Sequence, residues 1–406
     1  MLFRSLGNPA YRLHWKERFG YLENAEHDNP LIWIHAVSVG EVRAAQPLVD
    51  ALRREYPGFQ IMITTMTPTG ADTVLELYGK SVVHRYVPYD FPGAVKRFIR
   101  ATRPGFLMVM ETELWPNLFY YCRINNVPVI LVNGRMSVYS ARRYKLVASL
   151  TNTTLEHLSL IGVQSMSDAE RFVSLGARTD KISVTGNLKF DFALPEDFQS
   201  RFESSRQGWA STRPVWIAAS THLGEETTLL QAHARILHEF PDCLLIIAPR
   251  HPERFREVAG LCEKSGFSFV QRTAQIRPDE SKRIFILDTL GELIYYYALS
   301  RLAFVGGSLV RVGGHNMLEP ASLGIPMIYG PYIYNFHEIG TRLQQVGAAR
   351  VIHNEYELAK EVNRLLSNEK LRHDAGQCGR QMVQENRGST DRVLESVRPL
   401  LNIMCN

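Results

Sequence analysis

Residues 306–331 have the sequence GGSLVRVGGHNMLEPASLGIPMIYGP, and this stretch decides our prediction of the fold. The apolar run Leu302–Val305 in front of it has the composition of a strand buried in a parallel sheet. Four glycines follow and allow the chain to turn tightly and to approach a ligand closely. A short helix over residues 316–323, closed by Gly324, and a second strand over residues 325–329 complete the pattern. This order of elements predicts a parallel α/β sheet.

The predicted helix in this stretch also indicates a ligand. The N–H groups at the start of a helix attract phosphate, and Glu319, one turn in, can accept hydrogen bonds from a ribose diol. Pro320 is tolerated only in the first turn, so the helix begins close to Asn316. A tight turn that binds nothing would need the same glycines. On the loop alone, both interpretations stay open.

Length and composition limit the classes of protein to consider. A chain of 406 residues is too long for one ordinary core and predicts two domains of roughly 200 residues each. The net charge of +5 suits an acidic ligand or an anionic membrane surface but is too small to indicate nucleic acid. Five cysteines without a CxxC pair indicate reduced thiols and a cytoplasmic location. The sequence contains no run of 18 apolar residues, so we predict no membrane-spanning helix in it.

Strands and helices alternate along the whole chain, which predicts two domains that each have the doubly wound α/β fold. We expect a first domain over residues 1–190, a polar connection over 191–212 and a second domain over 213–406. The last helix, over 390–401, is a candidate for packing back onto the first domain. The predicted strands cover residues 31–36, 61–65, 82–87, 106–110, 127–132, 161–164, 182–185, 215–219, 244–248, 283–287, 302–305 and 325–329.

Ligands of such sheets bind outside the carboxyl ends of the strands, so two facing domains predict a central cleft lined by strand-end loops. Polar residues follow nearly every predicted strand, which is more than loop polarity requires. With the glycines, proline and leucine among them, the residues of these strand-end loops are Ser38, Gly40 and Glu41; Glu111, Thr112, Glu113 and Asn117; Asn133, Gly134, Arg135 and Ser137; Asn187 and Lys189; Ser220, Thr221 and His222; Pro249, Arg250 and His251; Asp288, Leu290, Gly291 and Glu292; Asn316 and Glu319.

Several motifs are absent from the sequence. There is no Asp-x-Asp pair, to which Glu111-x-Glu113 is the nearest approach, so we expect no metal site. Neither a Walker lysine motif nor a GxGxxG at the first helix is present, which argues against ATP and NAD. His35, His222, His251 and His315 lie near the loops, and we interpret each as a hydrogen-bonding or packing residue.

The start of the chain interleaves basic and aromatic residues. Arg4, Arg12, Lys16 and Arg18 alternate with large apolar side chains such as Phe3. Such a segment can lie at a membrane interface, and it can equally be a terminal helix docked on the protein. The sequence leaves both open.

Seven blocks, in order and over essentially the whole chain, resemble the 3-deoxy-D-manno-octulosonate (Kdo) transferase family. The glycine loop alone would indicate only some glycosyltransferase. The blocks are HAVSVGE at 35–41, ETELWPN at 111–117, NGRMS at 133–137, GNLKFD at 186–191, APRHPER at 248–254, GEL at 291–293 and FVGGSLVRVGGHNMLEPA at 304–321.

The resemblance implies a GT-B fold and inverting transfer of Kdo from CMP-Kdo to a lipid A precursor, lipid IVA. It implies lipopolysaccharide synthesis at the cytoplasmic face of the inner membrane, with neither a cofactor nor a metal. By matching motif, Glu41 would be the general base, and Glu111 and Lys189 would stabilise the transition state. The CMP site would comprise Pro249, Arg250, Leu290, Gly291, Glu292, Asn316, Met317, Leu318 and Glu319.

The chemistry of these residues agrees with the implied roles, with one tension. Inversion needs a carboxylate that takes the proton of the acceptor hydroxyl, but a helix N-terminus stabilises the ionised form of Glu41 and weakens it as a base. Partial burial would offset this. Lys189 and Arg250 can balance the charge of a departing monophosphate without magnesium.

Two further points follow from the resemblance. The family usually begins with a hydrophobic anchor, and this sequence begins about where that anchor would end, so we expect attachment through the basic start or through an anchor absent from the sequence. A nucleotide-sugar 2-epimerase on the same fold and a non-catalytic nucleotide-sugar binder remain alternatives.

Overall fold

A computed structural model describes residues 14–22, 29–195, 197–206 and 213–405. Residues 1–13 of the basic aromatic segment and residues 207–212 of the predicted connection lie outside the described residues. The chain divides into two compact units, one of Met1–Asp191 with Asn386–Asn406 and the other of Phe192–Glu385.

Each unit contains a parallel sheet of seven strands, as the alternating pattern predicts. The strands run in the order β3-β2-β1-β4-β5-β6-β7 in the first unit and β10-β11-β9-β8-β12-β13-β14 in the second. Their bounds are β1 Leu31–His35, β2 Gln60–Thr65, β3 Val83–Tyr86, β4 Phe106–Met110, β5 Val129–Gly134, β6 Leu160–Val163, β7 Ile182–Val184, β8 Val215–Thr221, β9 Leu244–Pro249, β10 Phe269–Gln271, β11 Ile284–Ile286, β12 Leu302–Val305, β13 Met327–Tyr329 and β14 Ala349–Val351.

Helices connect the strands and cover both faces of each sheet. They are α1 Trp15–Arg18, α2 Val39–Glu55, α3 Pro68–Tyr78, α4 Pro92–Thr102, α5 Pro116–Ile124, α6 Val138–Lys145, α7 Ala148–Glu156, α8 Met166–Ser174, α9 Phe198–Arg206, α10 Glu225–Glu239, α11 Phe255–Lys264, α12 Leu293–Leu299, α13 Leu318–Ser322, α14 His337–Gln345, α15 Glu355–Ser367, α16 Glu369–Glu385 and α17 Ser389–Cys405.

The central strands are apolar throughout because helices bury both of their faces. β1 is buried at all five positions, and its side chains alternate between two cores. Trp33 packs with Phe98 on one face of the sheet, while Ile32 and Ile34 pack with Val49 on the other. This two-sided burial explains why a run such as β1 shows no polar alternation in the sequence.

The glycine stretch forms the predicted strand, loop, helix and strand, with close backbone contacts. A Cβ on Gly306 would lie 2.5 Å from the Ser220 carbonyl oxygen, and one on Gly330 would lie 2.3 Å from the Ser308 carbonyl oxygen. Ser308 is fully buried, and its hydroxyl accepts a hydrogen bond from the Gly330 N–H at 2.8 Å. Only glycine allows the backbones to approach this closely.

Several element bounds differ from the sequence-based expectation. The helix of the glycine stretch has only five residues, Leu318–Ser322, and the strand after it begins at Met327. The predicted connection contains the helix α9. The pattern missed strands β10 and β14, which have three residues each.

The end of the chain belongs to the first unit, so the second unit ends at Glu385 rather than at residue 406. Val393 and Val397 of α17 are buried in a core with residues of α2. The Asp191 carboxylate accepts hydrogen bonds from the N–H groups of Gly388, at 2.7 Å, and Thr390. Apolar burial and this cap at the start of α17 together hold the helix there. Among the described residues, no helix combines the length and the apolar character that crossing a bilayer requires.

Gly306→Ala should destabilise the fold by about 1–3 kcal/mol, the usual cost of forcing atoms into a packed core. The new Cβ would meet the Ser220 and Ala219 carbonyl oxygens, and backbone atoms cannot rotate away. Gly260→Ala in α11 is the matched control, because no atom lies within 4 Å of its added Cβ. It should stabilise the fold by about 0.5–1 kcal/mol through helix propensity. Urea unfolding measures both changes, and shifts of equal sign would contradict the packing described here.

Candidate active site

The first unit places a buried carboxylate at the carboxyl end of its first strand. Glu41 lies in the first turn of α2, and only 9% of its surface is exposed. Its carboxylate accepts hydrogen bonds from the Val37 N–H at 2.8 Å and the Ser38 hydroxyl at 3.1 Å. The side chain therefore turns back over the start of its own helix.

The structure resolves the tension over the ionisation of Glu41. Burial and, to a smaller extent, the nearby charges of Glu111 and Glu113 together raise the pKa of Glu41 to about 8. The hydrogen bonds from Val37 and Ser38 act in the opposite direction but are outweighed. A carboxylate with a pKa near the working pH is suited to general base catalysis.

A strained backbone presents the second carboxylate. Glu111 directly follows β4 and has a φ of +55°, a left-handed conformation that costs a residue with a side chain on the order of 1–3 kcal/mol. Its Oε1 lies 3.5 Å from the Lys189 Nζ, and both side chains are about three-quarters buried. Glu111 thus orients the cation, one of the two roles open to a carboxylate beside an anionic donor.

Amide side chains position the segment that carries Lys189. Asn133, fully buried with a φ of +58°, accepts a hydrogen bond from the Leu188 N–H at 3.1 Å. Asn187 donates to the Gln164 Oε1 at 3.0 Å and accepts from the Lys189 N–H at 3.0 Å. The short 3₁₀ helix Leu188–Asp191 is therefore tied to the carboxyl ends of β5 and β6.

Glu113 belongs to this cluster, although sequence reasoning gave it no role. Burial raises its pKa, and its Oε2 accepts a hydrogen bond from the Trp115 Nε1 at 2.8 Å. The Trp115 ring meets the buried His35 ring edge to face, at 5.3 Å between centroids. Burial lowers the pKa of His35 to about 4, so His35 is a neutral packing residue, as expected.

In the second unit, one carboxylate organises the glycine loop. Glu225, at the start of α10, is fully buried. Its Oε2 accepts from the N–H groups of Gly307, at 2.7 Å, and His222, at 2.9 Å. Its Oε1 accepts from Ser308, at 3.0 Å, and Leu309, at 2.9 Å. Sequence reasoning missed Glu225, and the only available signal was a pair of acidic residues at a helix start.

The remaining amides of the glycine stretch are largely occupied as well. The Gly313 and Gly314 N–H groups donate to the Gly307 carbonyl oxygen at 3.1 and 2.8 Å. Asn316 Oδ1 accepts from the Leu318 N–H at 3.0 Å, and Pro320 has no N–H. The predicted phosphate site at the start of this helix is thus weakened, because α13 is short and its first N–H is already bonded.

The residues matched to the CMP site differ in what their side chains can reach. Met317 and Leu318 are buried in the protein, so only their backbone is available to a ligand. Asn316 Nδ2 donates to Glu319 Oε1 at 2.9 Å, and both side chains are partly exposed. This pair presents amide and carboxylate oxygens of the kind that bind hydroxyl groups.

The other matched residues lie on two strand-end loops of the same sheet. Pro249 ends β9, and the Arg250 N–H donates to the Thr221 carbonyl oxygen at 3.0 Å. Leu290 is 64% exposed. Gly291 has a φ of +79°, and Glu292 accepts a hydrogen bond from Arg272 at 3.0 Å. In the described part of the chain, no group of three His, Cys, Asp or Glu side chains is placed to hold a metal ion.

Two seven-stranded parallel α/β units, with polar residues at their strand ends, define the GT-B class of glycosyltransferase fold. The structure resembles a UDP-GlcNAc 2-epimerase from Neisseria meningitidis bound to UDP-GlcNAc, with a TM-score of 0.60 and 11% identity over 91% of this chain and 100% of that one. It also resembles a glycosyltransferase from Rickettsia africae, with a TM-score of 0.57 and 14% identity over 92% and 99%. At these identities the likeness shows the fold alone.

Closer relatives show the family. A model for 3-deoxy-D-manno-octulosonic-acid transferase (kdotransferase) matches residues 13–192. The 3-deoxy-D-manno-octulosonic acid transferase of Haemophilus influenzae is 41% identical over 98% of this chain and 93% of that protein. The Bordetella pertussis transferase is 35% identical over 91% and 87%. The chain belongs to the 3-deoxy-D-manno-octulosonic acid transferase family of glycosyltransferases, which confirms the predicted fold class and the resemblance.

Glu225→Gln should lower the free energy of unfolding by at least about 2 kcal/mol, because an amide nitrogen would face backbone donors that then lack an acceptor. Urea unfolding measures the loss. Glu239→Gln is the matched control, since Glu239 is exposed at the other end of the same helix, and its variant should unfold like the parent. Equal unfolding midpoints for the two variants would show that Glu225 does not hold the loop.

Proposed function

We propose that this chain is an inverting transferase that moves Kdo from CMP-Kdo to a lipid A precursor, lipid IVA, in lipopolysaccharide synthesis. Family membership supports the transferred sugar. The observation that carries the chemistry is Glu41, a buried carboxylate with its pKa raised to about 8, beside the ion pair of Glu111 and Lys189. In this proposal the first unit binds the acceptor and the second unit binds CMP-Kdo.

Glu41 is the general base of the proposed reaction. The acceptor hydroxyl oxygen attacks the anomeric carbon of Kdo, and its proton passes to the ionised Glu41 carboxylate. The bond from that carbon to the phosphate oxygen breaks, and CMP leaves with the electron pair. With a pKa of about 8, Glu41 is ionised in about one molecule in ten at pH 7. It is a stronger base than an exposed glutamate.

Fixed cations supply the charge compensation in this proposal. Lys189 is held in place by Glu111 and by the Asn187 amide, so no reorganisation is needed when negative charge develops. Arg250 has the same role in the second unit. A monophosphate leaving group carries less charge than a diphosphate, which supports a transfer without a bound metal or cofactor. The Asn316–Glu319 pair would bind hydroxyl groups of the nucleotide.

An exposed apolar and basic surface on the first unit supports a membrane-borne acceptor. We name it the α6–α7 patch. Tyr139, Leu146, Val147 and Leu150 are 70%, 84%, 51% and 53% exposed. Its basic members, Arg142, Arg143 and Lys145, are exposed beside them.

The position and composition of the α6–α7 patch both suit a lipid acceptor. The patch begins shortly after β5, which lies beside β4 in the sheet, and Glu111 directly follows β4. Aromatic, aliphatic and basic side chains together are typical of interfacial membrane contacts. Arg18 does not contribute to such a surface, because it is buried against Tyr86. We therefore propose peripheral attachment at the cytoplasmic face of the inner membrane.

The proposed activity predicts a mass gain of whole Kdo units when lipid IVA and CMP-Kdo are incubated with the chain. Mass spectrometry of the lipid reads this directly, and the number of added units is read in the same spectrum. EDTA should leave the rate unchanged, because side chains supply the positive charge. Conversion of CMP-Kdo with an unmodified lipid would favour the epimerase alternative, no conversion would favour a nucleotide-sugar binder, and inhibition by EDTA would contradict the metal-free proposal.

Glu41→Gln should lower transfer by about 10²-fold or more, the contribution of a positioned general base, while CMP binding is retained. In the parent, kcat/KM should rise with pH through about 8 and then level off, because burial raises the pKa of Glu41 and only its ionised form accepts a proton. Glu76→Gln is the control, since Glu76 is exposed on α3, and it should preserve both rate and profile. A variant that keeps the parental rate would remove Glu41 as the base.

Arg142→Glu with Arg143→Glu should weaken binding to vesicles that contain anionic phospholipid by about fivefold for each positive charge removed. Leu146→Ser with Leu150→Ser should weaken binding to anionic and zwitterionic vesicles alike, because it removes apolar contact. Leu75→Ser is the control, as Leu75 is 56% exposed on α3, away from the patch in sequence. Vesicle co-sedimentation measures all three, and parental binding by both double variants would rule out the α6–α7 patch as the membrane contact.

A further inference from the structure

Three histidines lie at the carboxyl ends of three neighbouring strands in the second unit. His251 follows β9, His222 follows β8 and His315 ends the glycine loop after β12, and these strands are adjacent in the sheet. The His222 and His251 rings meet edge to face, with 5.2 Å between centroids. The topology therefore brings the three imidazoles together on the side of the sheet where ligands bind.

His222 and His315 are joined by a direct hydrogen bond between their rings. The two Nε2 atoms are 2.7 Å apart, the centroids are 4.9 Å apart and the ring planes differ by 5°. Because the nitrogens are much closer than the centroids, the rings meet end to end in one plane rather than face to face. Only one proton fits between the two nitrogens, so one ring donates and the other accepts.

The surroundings of the His222–His315 pair are cationic. Burial, together with the neighbouring charges of Arg250 and His251, lowers the pKa of His222 to about 4 and that of His315 to about 3. Arg254 also faces His222 but is neutralised by Glu226, at 2.5 Å. Glu225 reaches the pair only through the His222 N–H.

The positive charge of Arg250 is the one beside the histidine pair that lacks a counter-charge among the described residues. Among the described residues, no carboxylate forms an ion pair with Arg250. The loop amides that would ordinarily bind an anion donate instead to Glu225 and to the Gly307 carbonyl oxygen. The side chains of Arg250 and the histidines are the groups at these strand ends that can carry a positive charge towards an anion. Gly307 leaves room for this, since a Cβ there would lie 3.0 Å from the His315 ring.

We propose that His222 and His315, together with Arg250, form an anion site that takes up one proton from solvent when a nucleotide phosphate binds. The inference rests on the proposed function, because the ligand is the phosphate of the CMP portion of the donor. An incoming negative charge favours the protonated pair, in which one imidazolium donates to the other ring and the charge faces the phosphate.

The proton also fits the chemistry of the leaving group. The phosphate of CMP-Kdo is a diester with one negative charge, and release of CMP leaves a monoester that carries about two at neutral pH. A proton held by the pair balances the second charge as the bond to the sugar breaks. No metal is needed for that balance, and the proton returns to solvent when CMP leaves.

Calorimetric titration of the full chain with CMP at pH 8, in HEPES and in Tris, tests the proposal, because the two buffers differ in ionisation enthalpy. We expect measurable proton uptake with CMP and none with cytidine. His222→Gln and His315→Gln should lose the uptake and bind CMP at least about tenfold more weakly, as expected for the loss of a hydrogen bond to a charged group. His238→Gln, exposed on α10, should retain both.

The outcomes separate this inference from the proposed function. CMP binding without proton uptake in the parent would overturn the histidine site and leave the transferase proposal intact. Uptake with free Kdo but not with CMP would assign the site to the sugar carboxylate and overturn the phosphate assignment. No binding of CMP at all would overturn the donor site itself. Proton uptake by the parent chain tests the proposal even if a histidine variant fails to fold. Urea unfolding would show whether a variant is folded.

Discussion

The second unit depends on the buried carboxylate of Glu225 and the four backbone N–H groups that it accepts. A carboxylate in the protein interior is costly unless every lone pair is used, and the tight glycine loop is costly unless its amides find an acceptor. The hydrogen bonds between the carboxylate and these amides offset both costs. The loop can therefore pass so close to β8 that a Cβ on Gly306 would lie 2.5 Å from the Ser220 carbonyl oxygen, while the loop amides bonded to Glu225 stay satisfied.

The same interaction decides which groups are left for a ligand. Because Glu225 occupies the N–H groups of Gly307, Ser308 and Leu309, these three amides do not bind a phosphate. The side chains near the loop are Arg250, the Asn316–Glu319 pair and the histidines at three adjacent strand ends. Reliance on side chains makes this site more sensitive to protonation than a site built from backbone amides, which do not titrate near neutral pH.

In the first unit the comparable constraint is burial of like charges. Glu41, Glu111 and Glu113 lie close enough for their charges to interact, and Lys189 is the one cation of the described ranges that forms an ion pair with any of them. Crowding of this kind is unfavourable for stability and favourable for a base, because it raises the pKa of the most buried member. The left-handed backbone at Glu111 and Asn133 is a further cost at the same strand ends. The crowded carboxylates and the strained backbone both lie at the strand ends where we propose that the reaction takes place.

The sequence by itself determined the two parallel sheets, most strand positions and the family. Apolar runs and the seven ordered blocks are patterns of consecutive residues, so they can be recognised without the tertiary structure. It did not determine that Glu225 holds the loop, that Glu111 orients Lys189, or that His222 meets His315. Residues 82, 78 and 93 positions apart meet only when parallel strands align their carboxyl ends. The balance between helix dipole and burial at Glu41 was also decided by the tertiary structure, since desolvation depends on neighbours that no local pattern specifies.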